Sequence, residues 1–246
     1  ISTPGTGVEE EVAADPGYGA TIHLLVQHPH TMQVPMQEQA MAQRGACASC
    51  RNPLPPIPNE PQSRIRSFSV SQVFRGGASN SNADEARRCM YTGELYCSTC
   101  HTNEQAEIPA AILQDWDFKP RKVSSLAAAY LESIESHAVL CVGAVNPSLY
   151  SRVQLLAHVR DLRIRLEAMS KIMKDCPVGE RMLVGVGSRR YLIENIDFYA
   201  MRDLIDLSRG AFSKLPTTLK IMERRFSQHI KKECNICALH TNSIDS

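Results

Sequence analysis

After residue 106, apolar residues recur at steps of three and four, the period of helices with one buried side. The clearest run extends from Pro147 to about Lys174. Leu149, Val153, Leu156, Val159, Leu162, Leu166, Met169 and Met173 form one stripe, while Arg152, Arg160, Arg163 and Lys171 fall elsewhere. This pattern predicts a single amphipathic helix of roughly 40 Å, at about 1.5 Å per residue. Upstream, Pro109 suits the first position of a helix ending near Trp116. The next helix has Ser124 or Ser125 as its cap, with Leu126, Tyr130, Leu131 and Ile134 on one side. In "RMLVGVGSRRYLIEN" two glycines predict a turn flanked by short extended pieces. Asp197 is placed to cap "FYAMRDLIDLSR", which Gly210 ends, and Pro216 opens a last helix that runs through Leu219, Met222, Phe226 and Ile230.

The first hundred residues lack this period. Residues 1–43 mix Gly, Pro, Glu, Gln and His around one short apolar run, "TIHLLVQ", and read as a disordered or partly ordered lead-in. Residues 51–88 begin rich in Pro and end rich in Gly, Ser and Asn. They read as a long loop with one strand at "SFSVSQVF", where residues alternate with period two. A loop of this length inside a domain needs something that ties its ends together.

Composition narrows the class. Hydrophobic residues make up 43% of the 246, enough for a real core, and aromatics are only 6%. Apolar content therefore rests on Leu, Ile, Val, Ala and Met, which favours helices. With 27 Lys plus Arg against 26 Asp plus Glu, the net charge of +1 gives no general field to attract nucleic acid or an anionic bilayer. Nothing approaches the eighteen or so apolar residues of a membrane span, and no signal-peptide pattern stands at the start. The chain begins with Ile rather than Met, as expected of a fragment.

Of nine cysteines, six lie in Cys-x-x-Cys pairs, a pattern of metal thiolates in a reducing compartment, so a cytoplasmic protein is expected. A tight knuckle turns both sulfurs of such a pair to one side, and zinc takes four such donors in a tetrahedron. Cys47 with Cys50 and Cys97 with Cys100 make one complete Zn2+ site, closing the 46-residue segment between them. Cys89, His101, Cys234 and Cys237 remain. "CMYTGELYCSTC" resembles the middle of FYVE-type fingers, with Thr92 in place of a cysteine. His101 can supply the missing ligand, with Cys234 and Cys237 completing a second site. The alternative leaves Cys89 and His101 merely buried and gives the last pair to a further finger. Cys141 and Cys176 lie in apolar or turn contexts without partners and read as core or incidental thiols.

A catalytic zinc needs an open position and usually a carboxylate base. Asp115, Asp117 and Glu94 are near in sequence, but no His-x-Glu or His-Glu-x-x-His arrangement occurs, so no enzyme is expected. Basic clusters at 119–122, 188–190, 223–225 and 231–232 read first as solvated helix ends and second as a patch for phosphoinositide headgroups. Nucleic acid is not expected, because no aromatics are interleaved with the bases.

The first Cys-x-x-Cys, then "YTGELYCSTCH", "IPAAILQDWDF", "KVSSLAAAYLESI", "VNPSLY" and "RDLIDLSRGAF" resemble, in order, the Rubicon homology domain of Rubicon, Pacer and related endolysosomal adaptors. "YLESI", "LCVGAVNP", "RRYL" and "DLIDLS" look closer to plant members in which the module follows a phox-homology domain. The resemblance covers about residues 44–238. It implies a mainly α fold, a helical bundle packed on a zinc-binding base with small β-hairpin or treble-clef-like fingers. Within it, 44–105 is the finger with its loop, 106–233 the helical part and 234–238 the last Cys pair, with 239–246 a tail. The implied function is a non-enzymatic adaptor that binds the GTP form of a late-endosomal Rab in endolysosomal traffic or autophagy. The implied location is peripheral, on late endosome, vacuole or lysosome membranes. Cys47, Cys50, Cys89, Cys97, Cys100, His101, Cys234 and Cys237 all match the family's Cys and His pattern. The family pattern continues with more Cys and His, whereas this chain ends "CALHTNSIDS", so the terminal fingers are expected to be missing from it. The competing class is a RING-like ubiquitin ligase on cross-braced zinc, which the long gaps and Thr92 do not suit.

Overall fold

Among the described residues the strands are short and pair only in twos. Arg87–Arg88 (β1) lies antiparallel to Leu95–Tyr96 (β2), Glu104–Ala106 (β3) to Arg121–Val123 (β4), and Leu140–Cys141 (β5) to Phe198–Tyr199 (β6). The other regular elements among the described residues are helical, as the periodicity predicts. The structure, a computed structural model, describes residues 33–57, 85–234 and 237. "TIHLLVQ", "SFSVSQVF" and the 239–246 tail lie outside the described residues.

Two apolar cores result. The smaller gathers Cys47, Cys89, Tyr91, Tyr96, Ile108, Val123 and Leu131 around the β1–β2 hairpin. The larger is built on helix Gln154–Met173, along which helix Leu215–Gln228 packs. Leu156, Leu162 and Leu166 are fully buried there, each contributing roughly 1.5–3 kcal/mol relative to exposure. Tyr130 and Ile134 of helix Ser125–Ile134 touch both cores and join the two parts.

Several boundaries follow the predicted chemistry. Pro109 opens helix Pro109–Asp115, which ends where Trp116 takes a left-handed φ of 59°. The Asp117 N–H closes back on the Ala111 carbonyl at 3.2 Å. Ser124 is the cap of the next helix, its hydroxyl accepting the Ala127 N–H at 3.3 Å. Gly210, at φ 59°, follows the end of helix Met201–Ser208.

Other boundaries differ. The single helix expected over 147–174 is broken at Val153, which is extended, leaving Leu149–Arg152 as a separate turn. The break buries Leu149 and lets the Tyr150 hydroxyl donate to Asp197 at 2.8 Å. Asp197 caps no helix. Its carboxylate accepts from Tyr150 and, at 2.9 Å, from Arg160, and its carbonyl accepts from the Val142 N–H. "RMLVGVGSRRYLIEN" is helical, with Pro177–Val184 and Tyr191–Glu194 flanking a 3-10 turn at Gly187–Arg189. Leu126 is 68% exposed, so the buried side of its helix is carried by Ala127 and Leu131. A helix not read from the sequence, Met36–Ala42, docks on the finger. The Gln43 carboxamide that follows it accepts the Leu95 N–H at 2.8 Å and donates to the Leu95 carbonyl at 3.0 Å, in place of another strand.

Candidate metal centres

The first centre joins two knuckles. Gly45, at φ 66°, precedes the first, and the Cys47 N–H donates to the Asn52 carbonyl at 2.8 Å across a turn containing Arg51 at φ 63°. The second follows β2, where the Cys100 and His101 N–H groups both point at the Cys97 carbonyl. Backbone bonds stitch the knuckles together: Ala48 N–H to the Leu95 carbonyl at 3.0 Å, and Cys97 N–H to the Cys47 sulfur at 3.4 Å. The donor atoms of Cys47, Cys50, Cys97 and Cys100 all lie within 4.8 Å of one another, a group able to hold a metal ion. Cys47 is buried and Cys50 exposed, so the centre sits at the surface with one edge open. The ends of the long loop meet beside it, with the Ala86 N–H on the Pro56 carbonyl at 3.0 Å.

The second centre is a different set from the one expected. Cys176, His229, Cys234 and Cys237 converge within the same 4.8 Å limit. The Cys176 sulfur is 3.3 Å from that of Cys234 and 3.4 Å from His229 Nε2, which is 3.6 Å from the Cys237 sulfur. Cys176 caps helix Pro177–Val184 by accepting the Gly179 N–H at 3.4 Å. His229 begins the π-turn His229–Glu233 that continues helix Leu215–Gln228 towards Cys234. A Cβ on Gly179 would stand 2.6 Å from the Met173 carbonyl, so only glycine lets this helix start approach the end of the long helix so closely.

Cys89 and His101 do not join Cys234 and Cys237. Both lie fully buried on the finger side: Cys89 is in the smaller core, and the His101 ring tilts against Tyr96. His101 Nδ1 accepts the Asn103 N–H at 3.2 Å, and Nε2 stands 3.2 Å from the Arg88 carbonyl as its donor. Both ring nitrogens are thereby committed to backbone. Burial foremost lowers the His101 pKa, against the raising effect of the Arg88 and His101 backbone, and nearby Arg87 and Lys122 lower it further. Cys176, expected to be incidental, and His229, not singled out, take the places of Cys89 and His101. The spacing His229-x4-Cys234-x2-Cys237 was present in the sequence as a signal.

The donor sets fit a soft divalent cation. Burial raises the Cys47 thiol, but N–H groups of Cys97, Cys50 and Ser49 outweigh it and bring the pKa down to about 7. Cys100 is pushed up to about 11 by burial and by neighbouring Cys97, Cys50 and Cys47. In the second centre the Gly179 N–H is the main influence lowering Cys176, while burial and then Cys234 and Cys176 push Cys237 up to about 12. Thiols this close oppose each other's ionisation, and a shared cation reverses that opposition. His229 offers Nε2 to the sulfurs, while its buried Nδ1 has no hydrogen-bond partner among the described residues.

No helix among the described residues is long and apolar enough to cross a membrane. A sequence model of the Rubicon homology domain matches residues 87–243, and the chain belongs to that family. It is 31% identical over 199 residues to pleckstrin homology domain-containing family M member 3 of Xenopus laevis, covering 80% of this chain and 23% of that protein. It is 31% identical over 152 residues to the Run domain Beclin-1-interacting and cysteine-rich domain-containing protein of Mus musculus, covering 61% and 16%. The protein associated with UVRAG as autophagy enhancer, also of Mus musculus, is 28% identical over 152 residues, 61% of this chain and 23% of that protein. The chain thus spans between about a sixth and a quarter of the length of these relatives.

Proposed function

We propose that residues 44–238 form a zinc-organised, non-enzymatic adaptor module that binds the GTP form of a late-endosomal Rab-type GTPase. It acts in autophagy or endolysosomal traffic, peripherally on late endosome, vacuole or lysosome membranes. The observation that carries the reading is that each centre supplies four protein donors, Cys47, Cys50, Cys97 and Cys100 in one, Cys176, His229, Cys234 and Cys237 in the other. Four protein ligands make a structural zinc, whereas a catalytic zinc keeps a position for water. The names of the relatives, an autophagy enhancer and a Beclin-1 interactor with a cysteine-rich domain, support the cellular setting. The two donor sets are consecutive along the chain rather than interleaved, which is not the cross-braced order of a RING.

The test is a pull-down of the zinc-loaded chain against late-endosomal Rabs loaded with GTP or GDP. Retention of a GTP-loaded Rab over its GDP form is expected; equal or absent retention across the panel contradicts the reading.

A further inference from the structure

Two cations of the basic clusters seen in the sequence are paired with carboxylates in the fold, Arg121 with Asp117 and Arg190 with Glu194. Arg189 of the 188–190 cluster converges with three other cations that are scattered in the sequence. A cleft of about 370 Å³ lies between the turn at Gly187–Arg189, helix Met201–Ser208 and the start of helix Leu215–Gln228. Arg189, Arg202, Arg209 and Lys214 line it, with Thr218 and the carboxylates of Glu135 and Asp206. Asp206 is already committed, accepting from the Ser213 hydroxyl and from the Lys214 and Leu215 N–H groups. Arg189 leans on Asp203 at 3.5 Å. The Arg202 guanidinium also lies against the Tyr191 hydroxyl, and its buried Nε has no hydrogen-bond partner among the described residues, in a cleft whose lining is net positive. Two to four guanidinium and ammonium groups around a cleft of this size suit a phosphate monoester, which Arg holds through its planar fork.

The source of the phosphate is indicated by the loop joining Arg209 to Lys214. It carries Phe212, 86% exposed and the most exposed large apolar side chain among the described residues. Gly210, at φ 59°, turns the chain there. An aromatic that protrudes between two cations, rather than lining a groove, suits the apolar edge of a bilayer whose anionic headgroups the cations neutralise.

We propose that this cleft binds a phosphorylated lipid headgroup, with Phe212 seated in the bilayer interface. The site is independent of the GTPase reading. It would let the module take hold of a membrane by one feature of charge and one of apolar contact.

The experiment is co-sedimentation of the zinc-loaded chain with phosphatidylcholine vesicles with or without phosphatidylinositol 3-phosphate. In parallel, the soluble headgroup inositol 1,3-bisphosphate and a phosphoserine peptide are titrated by calorimetry. Of the two vesicle types only those with phosphatidylinositol 3-phosphate are expected to bind the chain, and the soluble headgroup is expected to bind more tightly than the phosphopeptide. The double variant Arg209→Glu with Lys214→Glu should weaken both vesicle and headgroup binding by at least about tenfold. Phe212→Ser should weaken vesicle binding while leaving the headgroup titration unchanged, because the side chain makes no part of the cleft. Unchanged thermal melting and zinc content in both variants show that the fold is intact. Three results each overturn the proposal: vesicle binding indifferent to Phe212→Ser, headgroup binding indifferent to the charge reversal, or tighter binding of the phosphopeptide than of the headgroup.

Discussion

The sulfur of Cys176 lies 3.3 Å from that of Cys234, although 58 residues separate them. One belongs to the start of helix Pro177–Val184 and the other follows the π-turn that ends helix Leu215–Gln228, so an ion held there would tie two helix termini together. Cys176→Ser is expected to remove one of two bound ions and to lower the melting temperature, whereas Cys89→Ser keeps both. Cobalt substitution reads this directly, through loss of the second centre's three thiolates out of seven from the thiolate-to-metal charge-transfer absorbance in the first variant and no loss in the second.

Gly179 holds the same junction from the other side. A methyl group there would meet the Met173 carbonyl at 2.6 Å and its Cβ at 2.9 Å. One of those atoms is backbone, so relief requires the helix start to move. Gly179→Ala is expected to destabilise by about 1–3 kcal/mol in urea unfolding and to weaken retention of the second ion against a chelator. The reverse expectation, a gain from replacing glycine in a helix, applies only where there is room.

Asp206 gives the fold a pH dependence. Burial would raise its pKa, but the Ser213 hydroxyl and the Leu215 and Lys214 N–H groups hold it below the ordinary value, with Arg209 adding to them. A depressed carboxylate stabilises the folded state fully above the unfolded value of about 3.9, and that stability is lost as pH falls through the lower folded value. Asp206→Ala, which uncaps helix Leu215–Gln228, is expected to cost about 0.5–2 kcal/mol at neutral pH. The difference from the unsubstituted chain should shrink in denaturant titrations carried below about pH 4.

Much of the finger was legible because its information is local. A Cys-x-x-Cys pair places its own sulfurs, and the sequence between Cys89 and Cys100 contains its own turn at Gly93, φ 75°. The helices were legible where one face is buried, as for Leu156, Val159, Leu162 and Leu166. The second centre was legible only in its local part, Cys234 and Cys237 with His229 shortly before them, because Cys176 is brought to them by helix packing. Cys176 looks like an isolated thiol until helix Pro177–Val184 is docked, and His101 looks like a ligand until its nitrogens are seen bonded to Asn103 and Arg88. The same holds for the cationic cleft, whose lining is drawn from four separate parts of the chain between Glu135 and Thr218.

Arg163 is the clearest case of such long-range ordering. It falls off the apolar stripe of its helix yet is fully buried, donating to the carbonyls of Tyr191, Leu192, Asn195 and Phe198 at 2.6–3.1 Å, with its guanidinium 4.4 Å above the Tyr199 ring. It thereby fixes the segment that leads into helix Met201–Ser208. Arg163→Met is expected to cost about 3 kcal/mol or more, since several carbonyls lose their donor in a dry site. Arg163→Lys should recover only part of that, because one ammonium cannot span the fork; chemical denaturation of the three proteins checks the order.

The most direct test of the account is the zinc content of the purified, unsubstituted chain by elemental analysis, repeated after Cys176→Ser and after His101→Ala. Two ions per chain are expected, falling to one with Cys176→Ser and staying at two with His101→Ala. A folded chain without zinc, or one that loses an ion with His101→Ala and none with Cys176→Ser, would contradict it.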